Sequence, residues 1–401
     1  MSSVDTTSSD RALLAIGVIS VPEQVERRAL LRATWLHKPW AGDGGPVTAH
    51  FVVRAGGAPA WLDEQLGHEQ AQHADILRVP VPWDESRLRG PVLTLAAFIT
   101  HAAQTMRARY IAKVDDDAYV HVADLEYVMR RVHAEVPGRN KYLGMITWQS
   151  WFPEKWDRVG FGWRHAEAER GGRRCHNASW AAARCGDGCG PCSGPFPFAA
   201  GYLIALSAPL AAHLAAALPA ECERLRRAHD LVTNRGYSHT RIFEDVWLGS
   251  FLHRNPPRRP VSYVSTTRSG LVSDLEMRQW QSVVMRSAMV VHVRSKETRT
   301  LLALRRHMDG PAHCSPAANM SCARGCKALG VYLPRAERAD APCADAVQCR
   351  IATERSEWCR ADVDLRQLIR GKDVRAEAET LLGAVQAERA RLSRARDLAG
   401  G

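Results

Sequence analysis

Four short apolar runs alternate with helical stretches in the first third of this chain, and that alternation restricts the fold more than any other feature. The runs are Ala12–Ile19, His50–Arg54, Asp75–Pro80 and Tyr110–Val114. Each is short enough for a strand, and a continuous apolar run suits burial on both faces of a sheet. Ser20 and Glu23 form a capping box, with Pro22 in the first turn, that opens a helix reaching Trp35. Trp61–Gln72, Pro91–Arg107 and Ala123–Glu135 read as further helices. Strand alternating with helix predicts an α/β sandwich, a mostly parallel sheet covered by helices on its faces.

The pattern breaks between Trp148 and Pro197, a stretch dense in Gly, Trp and Cys that reads as a long decorated loop. Trp148, Trp151, Trp156 and Trp163 lie close together there. Their flat faces suit packing on an apolar ligand face or forming a hydrophobic plug over a site. Regular structure resumes near Ala199, with Ser207 capping a helix that includes Leu210 and Leu214. A helix follows over His239–Arg254, then strands at Val261–Ser265 and Met289–Val293, then a helix over Ser295–His307. We therefore expect a domain over 1–309 with its inserted loop at 148–197. A cysteine-rich module over 310–360 and a charged helix with little amphipathic contrast over 361–401 complete the organisation.

The chain carries a formal net charge of +11, which invites a nucleic-acid reading. No Arg/Lys-rich block with interleaved aromatics occurs, and 47 of the 54 basic residues are Arg spread along the chain. That argues against nucleic acid as a partner and leaves open a basic cleft for an anionic substrate. The 11 cysteines all fall at or after Cys175, clustered in loop-like segments. Asn177-Ala-Ser and Asn319-Met-Ser are glycosylation acceptors inside those segments. Together they favour disulfides in an oxidising lumen. The rival reading is zinc held by Cys175, Cys185, Cys189 and Cys192 in a cytosolic α/β protein. The apolar run Ala12–Ile19 is far shorter than the roughly 20 residues of a membrane span. Luminal residence thus implies an anchor lying outside this sequence.

The chemistry concentrates at the end of the fourth strand, where Asp115, Asp116 and Asp117 stand side by side after Lys113. Neighbouring carboxylates resist ionising together, and burial adds to that cost. In an open α/β sheet, ligands bind beyond the carboxyl ends of the strands. A hard divalent cation, Mn²⁺ or Mg²⁺, would compensate the charge, and such ions bind through one or two carboxylates plus substrate phosphates. A solvated acidic turn is the bland alternative.

Five segments occur in order: "RRALLRATW", the Asp triplet, "FPFAAGYLIALS", "FEDVWLG" and "VVHV". Together they resemble the β1,3-galactosyltransferase family, inverting UDP-sugar-dependent glycosyltransferases with the GT-A fold, over roughly Ala12 to His307. The resemblance implies a GT-A-like, Rossmann-like sheet with a cysteine-rich extension outside it. It implies that Arg28, Arg32, Lys113, Asp115, Asp116 and Gly201 line the nucleotide-sugar site. Asp117 and His292 would hold Mn²⁺, with Asp115 beside the ribose or on the metal. Asp245 would be the general base, its pKa raised by Glu244 next to it.

The expected reaction is β1,3 transfer of a hexose with inversion, to a glycan, glycolipid or protein hydroxyl. Galactose is the leading donor sugar and N-acetylglucosamine its alternative, in a Golgi lumen reached by membrane association. A catalytically silent lectin-like protein would keep the fold but has no need of Asp117, Asp245 and His292. Taken singly, His292 could be a core histidine, Asp245 a helix-dipole partner, and Trp35 a core residue or a ligand platform.

Overall fold

The computed structural model describes residues 12–36, 45–82, 91–152, 157–158, 193–234 and 243–266. It also describes 272–274, 283–284, 288–293, 298–309, 330–332, 363–364 and most of 374–390. All the cysteines except Cys222, both glycosylation acceptors, Trp156, Trp163 and most of the inserted loop lie outside the described residues.

The first elements alternate as the sequence predicts. They are β1 (Ala12–Ile19), α1 (Val25–Ala33), β2 (Val47–Ala55), α2 (Ala60–His73), β3 (Ile76–Pro80), α3 (Val92–Thr105) and β4 (Ala108–Asp115). Next come β5 (Ala118–Val120), α4 (Val122–Glu135), β6 (Asn140–Phe152), β7 (Asp157–Arg158) and β8 (Ser193–Ser207). The later elements are α5 (Ala208–Asn234), α6 (Glu244–Arg254), β9 (Val261–Ser265), β10 (Val272–Asp274), β11 (Val283–Val284) and β12 (Val290–His292). Helix α7 (Thr298–Asp309), β13 (Gly330–Tyr332) and β14 (Val363–Asp364) complete them.

The main sheet runs β13-β9-β6-β8-β4-β1-β2-β3, with β7 paired to β6. Its β3-β2-β1-β4 portion is parallel, and so is the β6-β9 pair. Strand β8 lies antiparallel between β4 and β6. The ends of the expected loop are therefore strand, since Trp148 pairs with Pro197 and Trp151 with Ser193.

Each face of this sheet carries its own core. On one face, Leu14, Ile16 and Val18 of β1 meet Leu31 of α1, Val128 and Met129 of α4, and Leu301 and Leu304 of α7. On the other, Phe98 and Ile99 of α3 pack with Leu210 and Leu214 of α5 and Trp247 and Phe251 of α6. Helix α3 presses so closely that a Cβ on Gly17 would sit 2.5 Å from the Phe98 ring. Any side chain there has to displace the Phe98 ring.

Two expected caps are used differently. Helix α1 begins after Gln24 without a side-chain cap, and the Ser20 hydroxyl instead accepts a hydrogen bond from Arg28. The Ser207 hydroxyl donates to the Arg139 carbonyl and accepts from the Lys141 N–H, stitching β8 to the start of β6. Among the described residues, no helix is long and apolar enough to cross a membrane.

Candidate active site

Strand β4 delivers the acidic triplet to the sheet edge, where Asp115 still pairs with Ile19 of β1. The chain turns at Asp116 and Asp117 and re-enters as β5. Trp35 is buried, and its indole N–H donates to the Ala118 carbonyl at 3.0 Å. That bond makes it a core residue that fixes the exit of the acidic turn. Strand β12 then pairs antiparallel with β5, setting His292 opposite Ala118, while the Val293 N–H donates to the Asp117 carbonyl. His292 Nε2 comes to 3.4 Å from Asp117 Oδ1.

One ligand atom each from Asp115, Asp117 and His292 can be chosen so that all lie within 4.8 Å of one another. Two donors about 2.1 Å from one ion stand at most about 4 Å apart, so slight contraction brings the three onto a single cation. Two carboxylates and an imidazole suit Mn²⁺, or Mg²⁺ with less nitrogen preference. The Tyr202 ring of β8 lies against the imidazole, with ring centroids 4.8 Å apart and the planes tilted by 32°.

Lys113 explains how the corner tolerates its carboxylates. It is almost fully buried, and its ammonium donates to Asp115, to the Gly201 carbonyl at 2.6 Å and to Glu244 at 2.9 Å. Burial alone would lower its pKa, but Asp115 and Glu244 outweigh that and raise it above the usual lysine value. One cation thus joins β4, β8 and α6. Gly201 allows the approach, because a Cβ there would stand 3.0 Å from Glu244 Oε1 and 3.1 Å from Asp115 Oδ2.

The four carboxylates respond differently to this setting. Burial pushes Asp115 up against the pull of Lys113. Asp117 resists burial because His292, then Arg27, hold it below the ordinary value. Glu244 is likewise held down against burial by Lys113. Asp245 is pushed up to about 7, first by burial and then by the charge of Glu244. Its Oδ1 accepts the Val246 N–H at 2.7 Å, at the first turn of α6.

Helix α6 is anchored from behind by Glu221 of α5. That buried carboxylate accepts from Trp247 Nε1 at 3.0 Å and from both Arg224 and Arg254. Burial would raise its pKa, but the two guanidinium groups bring it down to about 2.

Not every expected residue reaches the corner. Arg28 is fully buried and forks onto Glu69 with bonds of 2.9 and 2.7 Å, its remaining donors spent on Ser20, Val21 and Pro22. Arg32 bonds both Asp75 oxygens and Glu69, and its guanidinium lies over the Phe51 ring. Arg28 thus clamps α1 to α2, and Arg32 clamps it to α2 and to Asp75 just before β3. The arginine at the corner is Arg27, whose Nε donates to the Asp116 carbonyl at 2.5 Å. It is buried, and its two terminal nitrogens have no hydrogen-bond partner among the described residues. Arg27 is the site residue that motif spacing did not single out, while Tyr202 stands in the "FPFAAGYLIALS" segment without a role assigned to it there. Helical phase carried the signal for Arg27, since it sits a hundred degrees around α1 from the Arg28–Arg32 face.

The fold and site define an α/β protein with a metal-competent acidic corner at the strand ends and a near-neutral carboxylate on an adjoining helix. Residues 26–222, just under half of the chain, match the family described as Galactosyltransferase. It is 34% identical over 134 residues to mouse beta-1,3-galactosyltransferase 6, a match covering 33% of this chain and 39% of that protein. It is 32% identical over 138 residues to the human acetylgalactosaminyl-O-glycosyl-glycoprotein beta-1,3-N-acetylglucosaminyltransferase, covering 33% of this chain and 34% of the relative. The matches thus span about two fifths or less of these curated relatives. Among solved structures, the galactosyltransferase LgtC with donor and acceptor sugar analogues is similar at 9% identity. That similarity covers 70% of this chain and 87% of that one, with a TM-score of 0.32.

Proposed function

We propose that this chain is a divalent-metal-dependent, inverting β1,3-glycosyltransferase of GT-A organisation. It transfers galactose from a UDP-sugar to a hydroxyl on a glycan, glycolipid or protein in the Golgi lumen. The observation that carries the reading is the junction at Lys113. One buried ammonium ties the strand-end carboxylate Asp115 to the helix that presents Asp245.

Asp115, Asp117 and His292 would hold Mn²⁺, which, when bound, supplies charge neutralisation for a departing diphosphate. The residues of the chain do the rest. Lys113, Gly201 and the acidic turn shape the floor beneath the nucleotide sugar. Asp245 accepts the proton of the acceptor hydroxyl as its oxygen bonds to the anomeric carbon and the bond to the diphosphate breaks. A single displacement inverts the centre. A carboxylate near 4 would be a weak base at neutral pH, and one raised to about 7 is matched to the task.

N-acetylglucosamine as the donor sugar is the second reading, favoured by the similarity to the human N-acetylglucosaminyltransferase. A panel of UDP-sugars with Mn²⁺, read by release of free UDP, tests both. Turnover with UDP-galactose supports the first reading and turnover only with UDP-N-acetylglucosamine the second. No release from any donor, with or without acceptor sugars, would remove the transferase assignment.

A further inference from the structure

We infer that Arg27 is a resident counter-cation that draws the diphosphate of the nucleotide sugar to the acidic corner. The inference deepens the proposed function and rests on the reading of Asp115, Asp117 and His292 as a metal site. Arg27 and Arg28 are neighbours on α1 with opposite fates. Arg28 is spent inside the fold, on Glu69, Ser20 and the Val21 and Pro22 carbonyls. Arg27 is only 5% exposed, yet its Nε bond to the Asp116 carbonyl is all that ties it. Its two terminal nitrogens are closed off from solvent and have no hydrogen-bond partner among the described residues. A guanidinium carries five donors, and leaving buried donors unmet is costly. The hydrogen bonds of the fold therefore do not account for this side chain.

Its charge does have a setting. Asp116 and Asp117 are the carboxylates whose charges act on Arg27, and Arg27 in turn joins His292 in holding Asp117 ionised. Lys113 is its counterpart at Asp115 and Glu244. Both cations are buried, so water and salt screen them less than surface side chains. Closed off from solvent, Arg27 acts on a ligand through its charge rather than by touch, which makes it a positioning residue. Removing that charge leaves the corner one unit more negative. A divalent ion is then held at least as tightly, while a diphosphate is repelled. The two ligands therefore respond in opposite directions, whereas a loss of turn geometry would weaken both.

Arg27→Gln in the full chain tests this. The glutamine amide N–H can stand where Nε stands and still reach the Asp116 carbonyl, while the charge is gone. UDP affinity at saturating Mn²⁺, by calorimetry, should fall about 10- to 100-fold, the size of one unit charge acting at short range in a partly screened site. Affinity for Mn²⁺ alone, by electron paramagnetic resonance of free ion, should hold or rise. Affinity for uridine, which has no phosphate, should not change in an NMR titration. Arg27→Lys should recover most of the UDP affinity. Unchanged UDP affinity in Arg27→Gln would overturn the inference. So would equal losses for UDP and uridine, or a weaker Mn²⁺ site, which would make Arg27 a structural strut. If Arg27→Gln does not fold, Arg27→Lys decides: retained UDP affinity supports the role of the charge, and a loss of about tenfold or more overturns it. Wild-type binding of Mn²⁺ and UDP that Arg27→Gln matches removes Arg27 alone, whereas a wild type that binds neither removes the metal reading and this inference with it.

Discussion

The two sides of the candidate site are built in different ways. Asp115, Asp116 and Asp117 are consecutive at the end of β4, a strand in the middle of the sheet. His292 and Asp245 come from more than a hundred residues later, one on a three-residue strand and the other at a helix start. The first side is placed by its strand, with Lys113, Arg27 and Trp35 bonded around the turn that follows. The second depends on long-range supports: β5 pairing for His292, Lys113 for Glu244, and Glu221 for the body of α6. Charge placed on a central strand is positioned by the fold itself, whereas charge placed on peripheral elements needs dedicated partners. Substitutions on the two sides should therefore fail differently.

The largest effect should come from Asp245→Asn. Transfer should drop about 10²- to 10⁴-fold, the usual contribution of a general base, with UDP affinity by calorimetry retained. Near-normal transfer by that variant would place the base elsewhere. The wild-type rate should also fall as pH drops below about 7, because protonated Asp245 cannot accept the hydroxyl proton. A profile flat between pH 5 and 8 would contradict that role.

Glu221→Gln tests the long-range support directly. Removing one partner of a buried charged network costs about 3–5 kcal/mol. We expect a lower Tm in thermal denaturation and weaker transfer, with Mn²⁺ affinity close to normal. The sign with pH follows from the depressed pKa. The stabilisation is present above the ordinary glutamate value and is lost as pH falls from about 4.5 through about 2. An unchanged Tm at pH 6 would remove Glu221 from the account.

The smallest effect on the site itself belongs to Arg28→Met, which leaves Glu69 with one arginine partner. Stability should fall by about 1–3 kcal/mol in urea unfolding, the cost of a stranded buried partner, while UDP affinity stays within error. A large loss of UDP affinity would return Arg28 to the nucleotide site.

This contrast also explains what was legible in the sequence. The strand-helix alternation and the acidic strand end are local patterns, and the structure places them as read. Lys113 was legible as a neighbour of the triplet, but its bond to Glu244, 131 residues later, was not. Arg28 and Arg32 share a motif with Trp35, yet a motif does not say which helix face meets the ligand. Glu69 and Asp75 claim both arginines, while Arg27 turns to the acidic corner. The tail was read as having little amphipathic contrast. Its buried stripe is Val374 and Ala378 with Leu381, too small and too narrow to stand out among charged neighbours.

The central claim is that Asp117 and His292, far apart in the sequence, grip one divalent ion. Titrating Mn²⁺ into the wild type, Asp117→Ala and His292→Ala, with free ion followed by electron paramagnetic resonance, tests it most directly. The account predicts one tight site per wild-type chain, strengthened by UDP, and a loss of more than about 100-fold in each variant. Equal binding by all three proteins, or none by the wild type even with UDP, would contradict it.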